Sequence, residues 1–190
     1  MRMIHALQHY ERITSTLHKN IKAAKAYPSL LTNQDHAPLR SVLDKALWNY
    51  LSSLDLVTEL KFLDASLAVG NQFEANFFAR ITALSCFEIL DTRNSKVGKD
   101  IRSLALGVPG GSALKRLDEC VRKLNRLAAE KSPQLKALRN NLFGHRMKAG
   151  RAQAVEMLLV QPKAIYEVGS RILEIQFELA DAFMELAKDL

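Results

Sequence analysis

The run LRSVLDKALWNYLSSLDLVTELKFLDASLAV, residues 39–69, decides the fold class. Leu43, Leu47, Leu51 and Leu54, then Leu60, Leu63 and Leu67, recur at close to helical spacing. Apolar residues three and four apart line one face of an α-helix, so the run predicts a long amphipathic helix. Pro38 is well placed to start it, because the first helical position needs no N–H donor. Gly70-Asn71 ends it, a pair suited to a left-handed C-terminal turn.

Working outward, the same period repeats. Gln72 to Leu90 carries Phe73, Phe77, Ile81, Leu84 and Ile89 on a broad stripe. Asp91-Thr92-Arg93-Asn94-Ser95 begins a connection that runs to Gly111, with a short helix possible over Ile101 to Leu106. Pro109-Gly110-Gly111 is a breaker. Ser112 reads as an N-cap for Ala113 to Glu130, where Leu114, Leu117, Val121, Leu124 and Leu127 form the stripe. Ser132-Pro133 reads as the start of a separate helix that carries Leu135, Leu138 and Leu142 and ends near Gly144. Arg146 to Arg151 reads as a basic loop, and Val155 to Val160 is ambiguous between states. Gln161-Pro162 opens a last helix to about Lys188, with Ile165, Ile172, Ile175, Leu179, Phe183 and Leu186. Before the long helix, Met3 to Ala26 predicts a helix stopped by Tyr27-Pro28, and residues 30–36 read as a linker. No strand or repeat stands out. The expectation is an all-α, up-and-down helical bundle over 38–190, preceded by an N-terminal helical arm and linker over 1–37.

Composition agrees and narrows the functional classes. Only 8 Gly and 5 Pro argue against a turn-rich β fold, and 48% apolar content is ordinary for a globular chain. No apolar run approaches the roughly 20 residues needed to span a bilayer. His5, His9, Glu11 and Arg12 interrupt the place where a signal peptide needs an apolar block, so a cytoplasmic protein without membrane contact is expected. Cys86 and Cys120 lie in separate helical patterns and read as buried, reduced thiols. Their spacing fits no zinc module, and His5 and His9 lack a third ligand, so neither metal nor cofactor is expected.

Charge is unevenly placed. From Ser112 to Arg151 there are 11 Lys+Arg against 3 Asp+Glu, while Ala152 to Leu190 is net acidic. A positive field of this kind attracts a polyanion. The alternative is a solvated helix face formed by Lys115, Arg122, Lys123 and Arg126.

Within the basic segment lies Arg139-Asn140-Asn141-Leu142-Phe143-Gly144-His145-Arg146. Arginine offers a planar fork of donors that matches phosphate. Histidine titrates near neutrality and can move protons on and off oxygen. From residue types alone, the string equally fits surface residues and a helix-ending turn. On a straight helix Arg139 and His145 are about 120° apart, so they share no face unless the chain breaks at Gly144.

The string resembles the signature of the HEPN superfamily: arginine, a polar residue, a few mostly apolar residues, then histidine. Arg139, Asn140 and His145 match those three positions, and the run from Leu138 to Arg146 is especially similar to the abortive-infection U-type branch. Gly144 stands where that branch usually has alanine. From about Leu39 onward the helical layout fits the branch as well. The resemblance implies a HEPN-type bundle and a metal-independent endoribonuclease, a toxin or phage-defence effector with Arg139, Asn140 and His145 as its catalytic set. It implies a homodimer whose two motifs line one cleft, RNA as substrate and a protein antitoxin as a possible partner. Glu88 and Asp91 become candidates for a supporting role on a neighbouring helix, and an exposed acidic helix end is the alternative. Arg146, Lys148 and Arg151 become candidate RNA contacts. HEPN toxins neutralised by a nucleotidyltransferase often carry tyrosine two residues after the histidine. Met147 occupies that place here. The competing class is a non-catalytic helical module that binds through residues 112–151.

Overall fold

The structure is a computed structural model that describes residue 15 and residues 37–93, 97–107, 112–139 and 160–189. The expected first helix, Met3 to Ala26, and the expected loop from Arg146 to Arg151 therefore lie outside the described residues. Among the described residues five helices follow one another: α1 Ala37–Ala68, α2 Gln72–Asp91, α3 Lys99–Gly107, α4 Ser112–Arg139 and α5 Pro162–Asp189. Among the described residues there is no strand, and the helices pack around apolar cores.

The turn between α1 and α2 forms as its residues dictate. Gly70 sits at φ +71, a left-handed conformation that glycine adopts without a Cβ penalty. The Asn71 N–H donates to the Ser66 carbonyl (3.0 Å) and the Gly70 N–H to the Leu67 carbonyl (3.3 Å), which together satisfy two free carbonyls of the helix end. Asn71 then caps α2 by accepting from the Glu74 N–H at 3.2 Å.

Two expectations are corrected. Ser132-Pro133 does not start a new helix, because α4 runs unbroken from Ser112 to Arg139 with Pro133 inside it. Proline removes the N–H that would bond the carbonyl four residues back. Here Pro133 and Ala129 are both exposed, so water can take that carbonyl while Leu127, Ala128 and Leu135 keep the buried stripe continuous. Nor does Ser112 act as the expected cap. It is the first residue of α4, and its hydroxyl donates to Glu185 Oε1 at 2.5 Å.

The described residues pack as two compact units. The first takes 37–51 of α1, all of α3, 112–122 of α4 and 174–189 of α5. Val42, Ile101, Leu117, Leu179 and Phe183 are fully buried there. The buried Asn49 Nδ2 donates to the Gln176 backbone carbonyl at 2.9 Å. Arg116 pairs with Glu185 (2.8 Å) and Arg102 with Asp118 (3.0 Å) at its surface. Cys120 is buried in this unit, in no disulfide, with its Sγ 4.0 Å from Glu178 Oε2.

The second unit takes 52–93, 123–139 of α4 and 160–173 of α5. Its core holds Leu56, Leu60, Leu63, Leu90, Leu124, Leu127, Leu135 and Ile172. Here the expected stripe of α2 is shifted. Phe73 is 79% exposed and Phe77 is also exposed, while Ala75, Ala79, Thr82, Ala83 and Cys86 face inward. On α1, Leu51 in the first unit and Leu54 in the second are likewise exposed rather than core. Small residues win the inner face of α2 because α5 comes close. A Cβ on Gly169 would lie 2.9 Å from Leu60 Cδ2 and 3.3 Å from Thr82 Cγ2. Of the displaced rings, Phe77 packs edge-on to Phe78, which in turn stacks on Phe62 at 5.1 Å between centroids.

Two glycine substitutions should therefore act with opposite sign. Alanine in a helix is favoured over glycine by up to about 1 kcal/mol. At Gly169 overpacking costs about 1–3 kcal/mol and outweighs it. Gly169→Ala should lower stability by about 1 kcal/mol net. At the exposed Gly107, with open space around its Cβ direction, Gly107→Ala should be neutral or stabilising. Urea denaturation of the two variants checks this.

Candidate functional site

The second unit contains the start of the candidate motif. Arg139 is the last residue of α4, one turn beyond the fully buried Leu135 and on the same side of the helix. That spacing lays the arginine side chain along the packed edge of α4. Its guanidinium carbon sits 5.1 Å from the centre of the Phe87 ring on α2. Phe87 is only 8% exposed, whereas Arg139 is exposed. A guanidinium over an aromatic face gains about 0.5–1 kcal/mol at an exposed site. Among the described residues Arg139 forms no ion pair, so its donor fork is not taken by an acid. Lys136, three residues earlier, is also exposed and adds a second positive charge in the last turn of α4.

The end of α2 is tied to α4. Arg93 donates from Nε to Asn125 Oδ1 at 2.7 Å, and its guanidinium also donates to the Leu90 carbonyl. Thr92 closes the helix by donating its hydroxyl to the Glu88 carbonyl at 2.7 Å.

The two acids proposed for support both lie on α2 and are exposed. They point away from one another in role. Asp91 is four residues after Phe87, on the same face one turn on. Glu88 is rotated by about 100° from Phe87 and lies toward Glu59 of α1, whose titration it affects. Neither makes an ion pair with Arg139. Asn140, His145, Arg146, Lys148 and Arg151 lie outside the described residues, so Arg139 is the one member of the proposed catalytic and RNA-contact sets that the structure describes.

Sequence reasoning missed two residues of this unit. Phe87 reads as one more apolar position and gives no sign that a cation rests on it. Glu59 is legible only in retrospect, since Leu56, Glu59 and Leu63 fall at helical spacing along the edge of the core. It is half-buried. Its Oε1 accepts from the Ser85 hydroxyl at 2.7 Å, and its Oε2 is buried with no hydrogen-bond partner among the described residues. Burial pushes this carboxyl up to about 7 against the opposing Ser85 hydrogen bond, and the nearby charges of Asp55 and Glu88 push the same way. The adjacent Cys86 is fully buried, and burial drives its thiol well above the ordinary range, which leaves no thiolate for nucleophilic chemistry.

Elsewhere the positive excess of α4 is partly neutralised. Arg122 pairs with Glu119 at 2.6 Å in the first unit. In the second, Glu130 bridges Lys131 (3.0 Å) and Arg171 (3.6 Å). Beside that bridge is a pocket of about 90 Å³ lined by residues including Lys131, Gln134, Leu135, Ile165, Glu167 and Arg171. It is far below the roughly 300 Å³ at which small-molecule sites begin, so it has room for water rather than a nucleotide. Among the described residues no cluster of three or more His, Cys, Asp or Glu is placed to hold a metal ion, and no helix is long and apolar enough to cross a membrane.

Compared with known proteins, the chain matches no family model, no curated protein and no solved structure.

The Glu59 carboxyl makes a pH prediction. Its ordinary value of 4.5 holds in the unfolded chain, and about 7 holds in the folded one. Between these values the folded protein binds more protons than the unfolded, so stability falls as pH rises from about 4.5 to about 7 and stays reduced above. Glu59→Gln retains an acceptor for Ser85 and removes the charge. It should flatten that pH dependence and raise stability at pH 8 by about 1 kcal/mol, a figure reduced for partial solvent screening. Urea denaturation of both proteins at pH 5 and pH 8 measures the difference.

Proposed function

We propose that this chain is a HEPN-like, metal-independent endoribonuclease, with Arg139, Asn140 and His145 as its working residues. The observation that carries the reading is Arg139: an exposed guanidinium at the end of α4, seated on an aromatic ring and unpaired with any acid among the described residues. Arg102, Arg116 and Arg122 are each matched to a carboxylate, while Arg93 bonds to an amide and a backbone carbonyl. An arginine whose donor fork remains open suits an anionic ligand. The family pattern begins at the same residue, which supports phosphate as that ligand.

In this mechanism His145 takes the proton of a ribose 2′-hydroxyl. The 2′-oxygen then forms a bond to phosphorus, the bond from phosphorus to the 5′-oxygen breaks, and the leaving oxygen receives a proton from a general acid. Arg139 stabilises the charge that builds on the phosphate oxygens, and Asn140 orients the phosphate or the histidine. The products are a 2′,3′-cyclic phosphate and a 5′-hydroxyl. DNA lacks the attacking hydroxyl and is not cut by this route. The family pattern further supports a homodimer with two motifs in one cleft, a role as toxin or phage-defence effector, and control by a protein antitoxin. Asp91, on the Phe87 side of α2, is the better placed of the two supporting acids.

A second reading is favoured by the charge at the end of α4. Lys136 and Arg139 are adjacent and exposed, and with the basic residues that follow they suffice to hold a polyanion without any proton transfer. That is a non-catalytic binding module.

Cleavage of end-labelled RNA in EDTA separates the two. Wild type should cut and leave a cyclic phosphate. His145→Ala should cut at least about 100-fold more slowly while still binding RNA. Arg139→Ala should lose about 100-fold or more in cleavage and should also bind RNA more weakly. Salt-sensitive binding by all three proteins with no cleavage by wild type would select the binding module.

A further inference from the structure

We propose that Phe87 is the positioning residue of the site, holding the Arg139 guanidinium in place without neutralising it. The inference rests on the reading of Arg139 as the phosphate-contacting group.

The Arg139 side chain is exposed and forms no ion pair among the described residues. An unrestrained arginine carries substantial rotamer entropy, which a ligand must overcome on binding. Some group has to restrain it. A carboxylate would do so through the N–H donors, and those are the donors a phosphate needs. Glu88 and Asp91 stand on the neighbouring helix, yet neither takes that role. The contact is instead with the Phe87 ring, 5.1 Å from the guanidinium carbon. An aromatic face attracts the plane of the cation and leaves its edge donors available.

The platform is itself rigid. Phe87 lies between Cys86 and Leu90 on the buried side of α2, and all three are inaccessible or nearly so. The end of α2 is fixed to α4 through Arg93 and Asn125. The ring and the helix that carries the arginine are thus held to one another on the α4 side of α2. The half-buried Glu59 lies on the α1 side, bonded to Ser85, and its titration does not enter the platform.

The test uses the full chain and four variants: Phe87→Leu, Phe87→Tyr, Arg139→Ala and the double variant Phe87→Leu/Arg139→Ala. Circular dichroism and denaturation midpoints establish that each folds. NMR of the Arg139 Nε–H reads the contact directly. A proton over a ring is shifted upfield, and Phe87→Leu should abolish that shift while Phe87→Tyr keeps it. Binding and cleavage of a single-stranded RNA oligonucleotide read the consequence. Phe87→Leu should weaken binding by about two- to fivefold, the range that a lost cation–aromatic contact at an exposed site implies. Phe87→Tyr should restore it to within about twofold. In the Arg139→Ala background, Phe87→Leu should cost nothing further, because a positioning residue acts only through the group it positions.

An Arg139 Nε–H resonance that Phe87→Leu leaves unmoved overturns the proposal. So does a binding loss from Phe87→Leu that persists in full without Arg139, which would make Phe87 a packing residue alone. Failure of the underlying reading looks different. There Arg139→Ala leaves RNA binding and cleavage unchanged, which removes the phosphate role from the site, while the NMR shift still reports whether Phe87 holds the arginine.

Discussion

The second unit depends on how closely α5 can approach α1 and α2. Gly169 has no side chain, and Leu60, Thr82 and Leu56 fill the space where one would be. That contact requires the inner face of α2 to be small, and Ala75, Ala79, Thr82, Ala83 and Cys86 meet the requirement. A helix that buries its small residues has a determined rotation. With Ala79, Ala83 and Cys86 inward, Phe87 is placed toward α4 and Ser85 toward α1. The aromatic ring under Arg139 and the hydroxyl beside Glu59 are two consequences of one packing choice.

The two sides of α2 handle charge in opposite ways. Toward α4, the Arg139 guanidinium forms no ion pair among the described residues and rests on a ring that offers no hydrogen-bond acceptor. Toward α1, a carboxyl is drawn out of water beside two other acids and given one hydroxyl donor, which favours the proton-bound form near neutrality. An ion pair between these groups would neutralise both and remove the open donor fork on which an anion site depends. Their separation by the thickness of a helix keeps the arginine available. The other arginines of the described chain with acids in reach, such as Arg116 with Glu185, show the ordinary outcome when nothing prevents pairing.

Much of the fold was legible, and for a physical reason. Helices form where apolar residues recur at helical spacing, and among the described residues the predicted helices are present, including the short one that became α3, except that the two expected on either side of Ser132-Pro133 are one helix, α4. The Gly70-Asn71 turn followed from local chemistry, because a left-handed residue and a capping carboxamide act within a few residues of each other. The misreadings share another cause. Pro133 is a breaker by local rules, yet burial on both sides of it carries α4 through. Phe73 and Phe77 look like core by size and period, yet the close approach of α5 and the small inner face of α2 leave them outside, and Leu51 and Leu54 of α1 are exposed as well. Period alone identifies a stripe; it does not say which of two neighbouring stripes a partner helix will choose.

The candidate site divides along the same line. The sequence by itself determined the chemistry on offer: an arginine, a carboxamide and a histidine in one short string within a basic segment, because residue identity and spacing along the chain are local properties. Only the tertiary structure decided that Arg139 rests on Phe87 rather than on Glu88 or Asp91, and that Glu59 is half-buried with a hydroxyl partner. Those pairings join residues 52 and 26 positions apart in the chain (139 against 87, 85 against 59). Which groups meet over such separations is settled by the rotation and distance of packed helices, and no local pattern encodes either one.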